Sequence, residues 1–313
     1  MTRISVVLAV TLFCLATART PDPRVLAALD ALSFNHTHDL DDEQAASFYC
    51  PMDPQVRSIR AGRCPRCGMT LVEGAPDIVE YPLELTVDPV LPRAGVLTRL
   101  TFGLTDPRTQ TPVRGFEVVH EKLYHVFVVS QDLSFFLHTH PERQPNEDFR
   151  LDVRFPKPGM YRVLSDFYPS GGTPQLVTST VIVPGPGVSL ESPRIPASVA
   201  PKASENARAE LELVPKRVVA REKTALVLRL TPNQGLEPYL GAWGHLLAAS
   251  ADLIDMVHEH PVLEDGDSRN ASRALRFDLF FPREGVYRVW MQFQRLGVVN
   301  TVAFDVPVEE SPY

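Results

Sequence analysis

His125-Val-Phe-Val-Val-Ser-Gln-Asp-Leu133, followed by His138-Thr-His140-Pro141, occurs a second time as His245-Leu-Leu-Ala-Ala-Ser-Ala-Asp-Leu253 and His258-Glu-His260-Pro261. The offset is 120 in both pieces (245 − 125 and 258 − 138), with no gap. Further along, Phe155-Pro156 and Gly159-Met-Tyr161-Arg-Val163 return as Phe281-Pro282 and Gly285-Val-Tyr287-Arg-Val289 at an offset of 126 (281 − 155). One polar insertion in the second copy, around Glu264–Ala271, accounts for the change. The chain is therefore a tandem repeat of one domain, legible by self-comparison.

Around these anchors the apolar residues alternate in short runs bounded by Pro and Gly. Leu83, Leu85 and Val87 are one such run, Leu100, Phe102 and Leu104 another, and Leu151, Val153 and Phe155 a third. The second half follows suit with Leu226, Leu228 and Leu230, then Leu275, Phe277, Leu279 and Phe281. Period-two alternation is the strand signal. About seven such strands in roughly a hundred residues predict a β-sandwich for each repeat. The Gly-x-Tyr-Arg-Val step in both copies resembles the tyrosine corner of immunoglobulin-like sandwiches, in which a tyrosine hydroxyl bonds nearby backbone. The expected class is all-β: two tandem Ig-like or cupredoxin-like sandwiches, at 78–184 and 208–308. The Pro- and Ser-rich stretch 185–207, without apolar periodicity, is expected to be a linker.

The chain has 313 residues, enough for two domains and a small module, and 29 prolines, in keeping with many turns. Its net charge of −7 argues against nucleic acid as a partner, since phosphate binding needs a basic face. At the N-terminus, Arg3 precedes an apolar run from Ile4 to Leu15, too short to span a bilayer, and Ala16-Thr17-Ala18 offers small residues for cleavage. Residues 1–18 are therefore expected to be a signal peptide, leaving a periplasmic or secreted protein with no membrane span. Residues 19–48, with a short helix candidate over Val25–Leu32, lead into the next segment.

That segment, about 49–75, holds Cys50, Cys64 and Cys67, the three cysteines that remain once Cys14 leaves with the signal. An exported protein that uses cysteine for disulfides more often carries an even set, so three thiols packed together read as metal ligands. Met52 and Met69 lie two residues beyond Cys50 and Cys67, Pro51, Pro54 and Pro65 stiffen the turns, and Gly62 and Gly68 let the backbone fold tightly. Thiolate and thioether donors are soft, favouring copper, with silver or zinc as alternatives, over hard cations. A Cys-x-x-Cys also serves thioredoxin-like redox chemistry, which needs a βαβ context that Gly68-Met69-Thr70 does not supply.

Tyr-Cys-Pro-Met-x-Pro-x-Val-Arg…Gly-x-Cys-Pro-x-Cys-Gly-Met-x-Leu, residues 49–71, resembles the heavy-metal-binding domain found in bacterial copper and silver efflux adaptors and at the N-termini of copper-translocating P-type ATPases. The resemblance implies Cys50, Cys64 and Cys67 as ligands. The family usually has His where this chain has Asp53, which leaves Asp53, Met52, Met69, His36 and His38 as alternatives for the fourth. It further implies metal ions, and a metal efflux or transport protein, as partners.

Six of the nine histidines fall at repeat positions: His125, His138 and His140, and His245, His258 and His260. With Gln131-Asp132 at the tip of a tight hairpin, His125 faces His138, and His140 lies two residues further on the same face. The second copy, with Ala251-Asp252 at the tip, places its triplet likewise. Three converging imidazoles suit copper(II) or zinc; packed structural histidines inherited by both copies are the alternative. Binding needs neutral rings, so affinity is expected to fall as pH drops through the histidine range near about 6.5. His120, within Val119-His-Glu-Lys122, has no histidine counterpart in the second copy and reads as solvated surface, with an extra ligand as the alternative. Phe127, Phe135, Phe136 and Met256 read as core.

These features predict an extracytoplasmic, non-enzymatic protein that carries, buffers or confers resistance to copper-like ions. A copper-dependent redox enzyme using the His-x-His hairpins is the alternative, although neither half offers the extra ligands of a superoxide dismutase. An efflux adaptor would need a long helical hairpin, and no sustained heptad pattern is present. No nucleophile elbow, phosphate-binding glycine loop or zincin motif appears.

Overall fold

The computed structural model describes residues 48–50, 56–65, 70–74, 79–188, 191–261 and 274–311. The expected signal peptide, the Val25–Leu32 helix and the second-copy insertion lie outside these residues, as do Met52, Asp53, Cys67 and Met69. All secondary structure among the described residues is β, and no helix there is long and apolar enough to cross a membrane.

Seven strands longer than two residues build each repeat. In the first, Leu83–Asp88, Leu97–Asp106 and Phe149–Arg154 lie side by side in an outer sheet; Gln175–Val183, Gly159–Phe167, Tyr124–Ser130 and Phe136–Thr139, in that order, form an inner sheet. The second repeat has the same plan. Arg208–Val214, Lys223–Thr231 and Leu275–Phe280 are outer; Val298–Val308, Gly285–Arg295, His245–Ser250 and Met256–Glu259 are inner. Alternation drives the outer strands: Leu100, Phe102 and Leu104 point inward, as do Phe149, Leu151 and Val153, to meet Tyr124, Val126, Val128 and Val163 of the facing sheet. The corresponding core of the second repeat centres on Leu226, Leu228, Phe277, Leu246, Ala248 and Val289. Both tyrosine corners form: Tyr161 Oη donates to the Lys157 carbonyl at 2.8 Å, and Tyr287 Oη accepts from the Arg283 N–H at 3.3 Å.

The strand Tyr124–Ser130 breaks the alternation, because all seven of its residues are buried. Val126 and Val128 serve their own core, while Phe127 and Val129 point the other way. There they join Leu133 and Leu164, together with Leu247, Ala249, Leu253 and Trp290 of the second repeat, in one apolar cluster. The inner sheets of the two repeats thus pack against each other, and the central strands are covered on both faces, which is why they read as continuous apolar runs. Phe136 stacks on Trp290 across this interface, with ring centroids 5.0 Å apart.

The histidine hairpins turn one residue later than the sequence predicts. Phe127 pairs with His138 and Val126 with Thr139, so the tip is Asp132-Leu133 rather than Gln131-Asp132, and His125 comes opposite His140. The cause is the aspartate. Asp132 Oδ1 accepts from Ser130 Oγ at 2.6 Å and from Ser134 Oγ at 2.9 Å, and Leu133 takes a positive φ of 58°. In the second copy Leu247 pairs with His258, and Asp252 and Leu253 repeat the arrangement. A shift of two in pairing preserves the face, so all three histidines of each hairpin still point the same way.

The segment expected to be a linker is docked over much of its length. Ser198 exchanges two backbone hydrogen bonds with Asp305, at 2.8 and 2.9 Å, and Lys202–Ala203 pairs with Arg208–Ala209. Ile195 packs on the inter-repeat cluster and Val199 on the second core. Two isolated apolar anchors suffice to seat a chain whose prolines hide any period.

Candidate metal centre

Three two-residue strands, Phe48–Tyr49, Arg57–Ser58 and Val72–Glu73, frame the cysteine module. Cys50 and Cys64 are buried with Leu71 between Phe48 and Val56, and the Cys50 N–H donates to the Val56 carbonyl at 3.0 Å. The other proposed donors of this module lie outside the described residues. The module docks on the first repeat. Tyr49 and Tyr168 hydroxyls meet at 2.6 Å, and Val72 packs on Tyr168 and Val119.

Val119 opens a tight turn through Lys122, and its carbonyl accepts a hydrogen bond from His125 Nε2 at 3.0 Å. The equivalent carbonyl, Tyr239, holds His245 Nε2 at 2.9 Å. In a neutral ring the N–H sits on the nitrogen facing the carbonyl, so each of these histidines presents the lone pair of Nδ1. His125 Nδ1 lies 3.3 Å from His138 Nε2 and 3.1 Å from His140 Nε2. His245 Nδ1 lies 3.0 Å from His260 Nε2. Ligand nitrogens each about 2.0–2.1 Å from one tetrahedral ion are roughly 3.3 Å apart, so the spacing fits a metal. In each triad one ring nitrogen per histidine lies within 4.8 Å of the other two.

The Nδ1 atoms of His138 and His258 are held from the opposite repeat. His138 Nδ1 donates to Gln292 Oε1 at 2.8 Å, and Gln292 Nε2 in turn donates to Thr301 Oγ1 at 3.0 Å, fixing the amide's orientation. His258 Nδ1 donates to Asp166 Oδ2 at 2.5 Å. Asp166 and Gln292 are the same position of the repeat, five residues beyond Tyr161 and Tyr287. The partners are therefore exchanged across a pseudo-two-fold axis: each inner sheet orients the other's His-x-His. Sequence reasoning missed both residues. Their trace was a polar side chain among mostly apolar strand residues, Val163-Leu-Ser-Asp-Phe167 and Val289-Trp-Met-Gln-Phe293.

His120, expected on the surface, is buried, because the interface covers its turn. The second repeat's turn comes so close that a Cβ on Gly241, which has φ +75°, would lie 3.1 Å from His120 Cα. The His120 ring packs on His260 at an interplanar angle of 35°, with centroids 3.6 Å apart. Seven histidines thus form one cluster; His138 and His245, from different repeats, are 5.1 Å apart by ring centroids.

Burial disfavours the charged form of six of these rings, His120, His125, His138, His140, His245 and His260. It pushes His125 down to about 4, with repulsion from His258 adding to the effect, and likewise His120 to about 4 and His140 to about 3. His138, His245 and His260 are also lowered, first by burial. The sequence-based expectation of proton competition near 6.5 moves to lower pH accordingly. For Asp166 burial opposes the charge, yet the hydrogen bond from His258 and the surrounding rings hold its carboxyl below the usual range. Three buried nitrogens, His120 Nε2, His258 Nε2 and His260 Nδ1, have no hydrogen-bond partner. Leaving such atoms unpaired costs about 1–3 kcal/mol each, a cost that an ion in the second triad would offset for His258 Nε2 but not for His260 Nδ1, since His260 faces the triad through Nε2.

Fold and centre together define a tandem β-sandwich protein with a heavy-metal module in front. The chain belongs to the family described as Domain of unknown function (DUF8832), which matches residues 78–185 and again 203–310. The Heavy metal binding domain matches residues 48–73, where the cysteine motif lies. No curated protein matches the chain in sequence. Among solved structures it is similar to the Escherichia coli adhesin FdeC (14% identity, 75% of this chain and 68% of that one, TM-score 0.25). It is also similar to fibronectin(III)-like modules of Clostridium thermocellum CbhA (12%, 72% and 95%, TM-score 0.20). Likenesses at these scores carry no argument about function.

Proposed function

We propose that this protein binds copper-like ions outside the cytoplasm and serves in their carriage, buffering or resistance. The cysteine module takes the reduced, soft ion, and the histidine centre takes the oxidised one. The observation that carries this reading is the convergence of imidazole nitrogens in each triad, at 3.1 and 3.3 Å from His125 in the first and at 3.0 Å between His245 and His260 in the second, with the other nitrogens of His125, His138, His245 and His258 oriented by carbonyl, amide or carboxylate. Zinc and silver are the other ions this donor set accommodates. A periplasmic or secreted location is part of the proposal and rests on the leader-like residues 1–18.

Elemental analysis of protein purified from the exported fraction is the test. Copper is expected at more than one equivalent, with separate losses in Cys64→Ser and His138→Ala. Metal content unchanged by either substitution would sink the reading. The alternative, a copper redox enzyme, draws on His140, the least buried of the six repeated histidines, which gives its triad an edge toward solvent. Superoxide or ascorbate turnover by the copper-loaded chain would favour it.

A further inference from the structure

The two triads share their own residues but receive different ones from across the interface. His258 is backed by a carboxylate, Asp166, where His138 is backed by a neutral amide, Gln292. A carboxylate partner raises the basicity of the ligating nitrogen and offsets part of the ion's charge; an amide only orients the ring. The Val119–Lys122 turn carries His120, whose ring meets His260 and His245, while the equivalent residue in the second repeat's turn is Leu240. The His120 ring packs against this triad, 3.6 Å from His260 and 5.9 Å from His245 by centroids, and its Nε2 is buried there without a hydrogen-bond partner. Two buried, unpartnered nitrogens that could act as donors lie on this side, His258 Nε2 and His120 Nε2, and among the described residues the first triad contributes none.

We propose that His245, His258 and His260 form the tighter of two divalent-metal sites, with Asp166 as its positioning carboxylate and His120 as its fourth nitrogen donor. Both come from the first repeat. The first triad, oriented by Gln292, is the weaker site. This inference rests on the metal-binding reading of the triads. Four-coordinate zinc with three histidines and one further donor is the geometry it implies for the second site.

The test is a zinc titration against a chromophoric chelator, using the full chain with Cys50, Cys64 and Cys67 changed to Ser so that only the histidine centre competes. Two phases are expected, the tight one lost in His258→Ala and the weak one in His138→Ala. Asp166→Asn should weaken the tight phase about 10–100-fold and leave the other. His120→Ala should weaken the same phase and change the visible spectrum of the cobalt(II)-loaded chain. Gln292→Glu should tighten the weak phase, an outcome independent of whether Asp166→Asn folds. Equal phases in the parent chain, or an Asp166→Asn effect on the phase that His138→Ala removes, would overturn the inference while leaving metal binding intact. No zinc uptake by the parent chain would instead overturn the metal-binding reading itself.

Discussion

The first and second repeats carry the same histidines on the same hairpin and anchor the same ring to the same turn carbonyl, yet their centres differ. What separates them is supplied by the neighbour: Asp166 against Gln292, and His120 against Leu240. A site's ligands can therefore be inherited unchanged while its chemistry diverges through residues on another domain. The arrangement of this histidine centre is a property of the interface as much as of either sandwich.

The interface offers the largest effect with which to break the comparison. Trp290 is buried against Phe136, and its counterpart in the first repeat is Leu164, in the same apolar cluster. Trp290→Ala should cost about 3–5 kcal/mol in a denaturant titration, and Leu164→Ala about 2–5 kcal/mol. A loss below about 1 kcal/mol for Trp290→Ala would mean that the repeats do not stabilise one another.

Exchanging the orienting residues sharpens the comparison. The double variant Asp166→Gln, Gln292→Asp should reverse the order of filling, with the first triad taking zinc ahead of the second by about tenfold or more. Phases that keep their order would show that the carboxylate does not set the difference.

The smallest expected effect concerns the turn. His120→Leu makes the first repeat match Leu240. In metal-free protein His120 is held down to about 4 by burial, below its value of about 6.5 in the unfolded chain. The unfolded state then takes up the proton first, so the ring subtracts from stability as pH falls through 6.5 toward 4, and has little effect above. Removing it should recover about 0.4 kcal/mol of the acid-induced loss at pH 6.5, and more below. Chemical denaturation with a chelator present, at pH 7.5 and pH 6.5, reads this difference; equal losses in variant and parent would refute it.

Much of this was legible in the chain. The offset repeat gave the tandem plan, alternation gave the outer strands, and the histidine triplets were placed on one face. Their register was off by a turn residue, because Asp132 and Asp252 fold their side chains back onto Ser130 and Ser250 in a way that no hydrophobic period records. His120 was misplaced for a different reason. Its burial comes from a second sheet some hundred and twenty residues away, and local polarity says nothing of that. The clue that was present lay in the unbroken apolar runs Val126–Val129 and Leu246–Ala249, which signal a strand covered on both faces.

The crossed hydrogen bonds, His138 to Gln292 and His258 to Asp166, also bear on ancestry. A single repeat could build the same centre only by pairing with a copy of itself, and in a two-fold dimer of identical chains any substitution appears at both sites. Such a dimer has two carboxylates or two amides, two histidines in the turns or none. Joining the copies in one polypeptide removes that constraint. Covalent tandem order is thus what allows one half of the centre to evolve away from the other, and a gene encoding either half alone could not encode the difference.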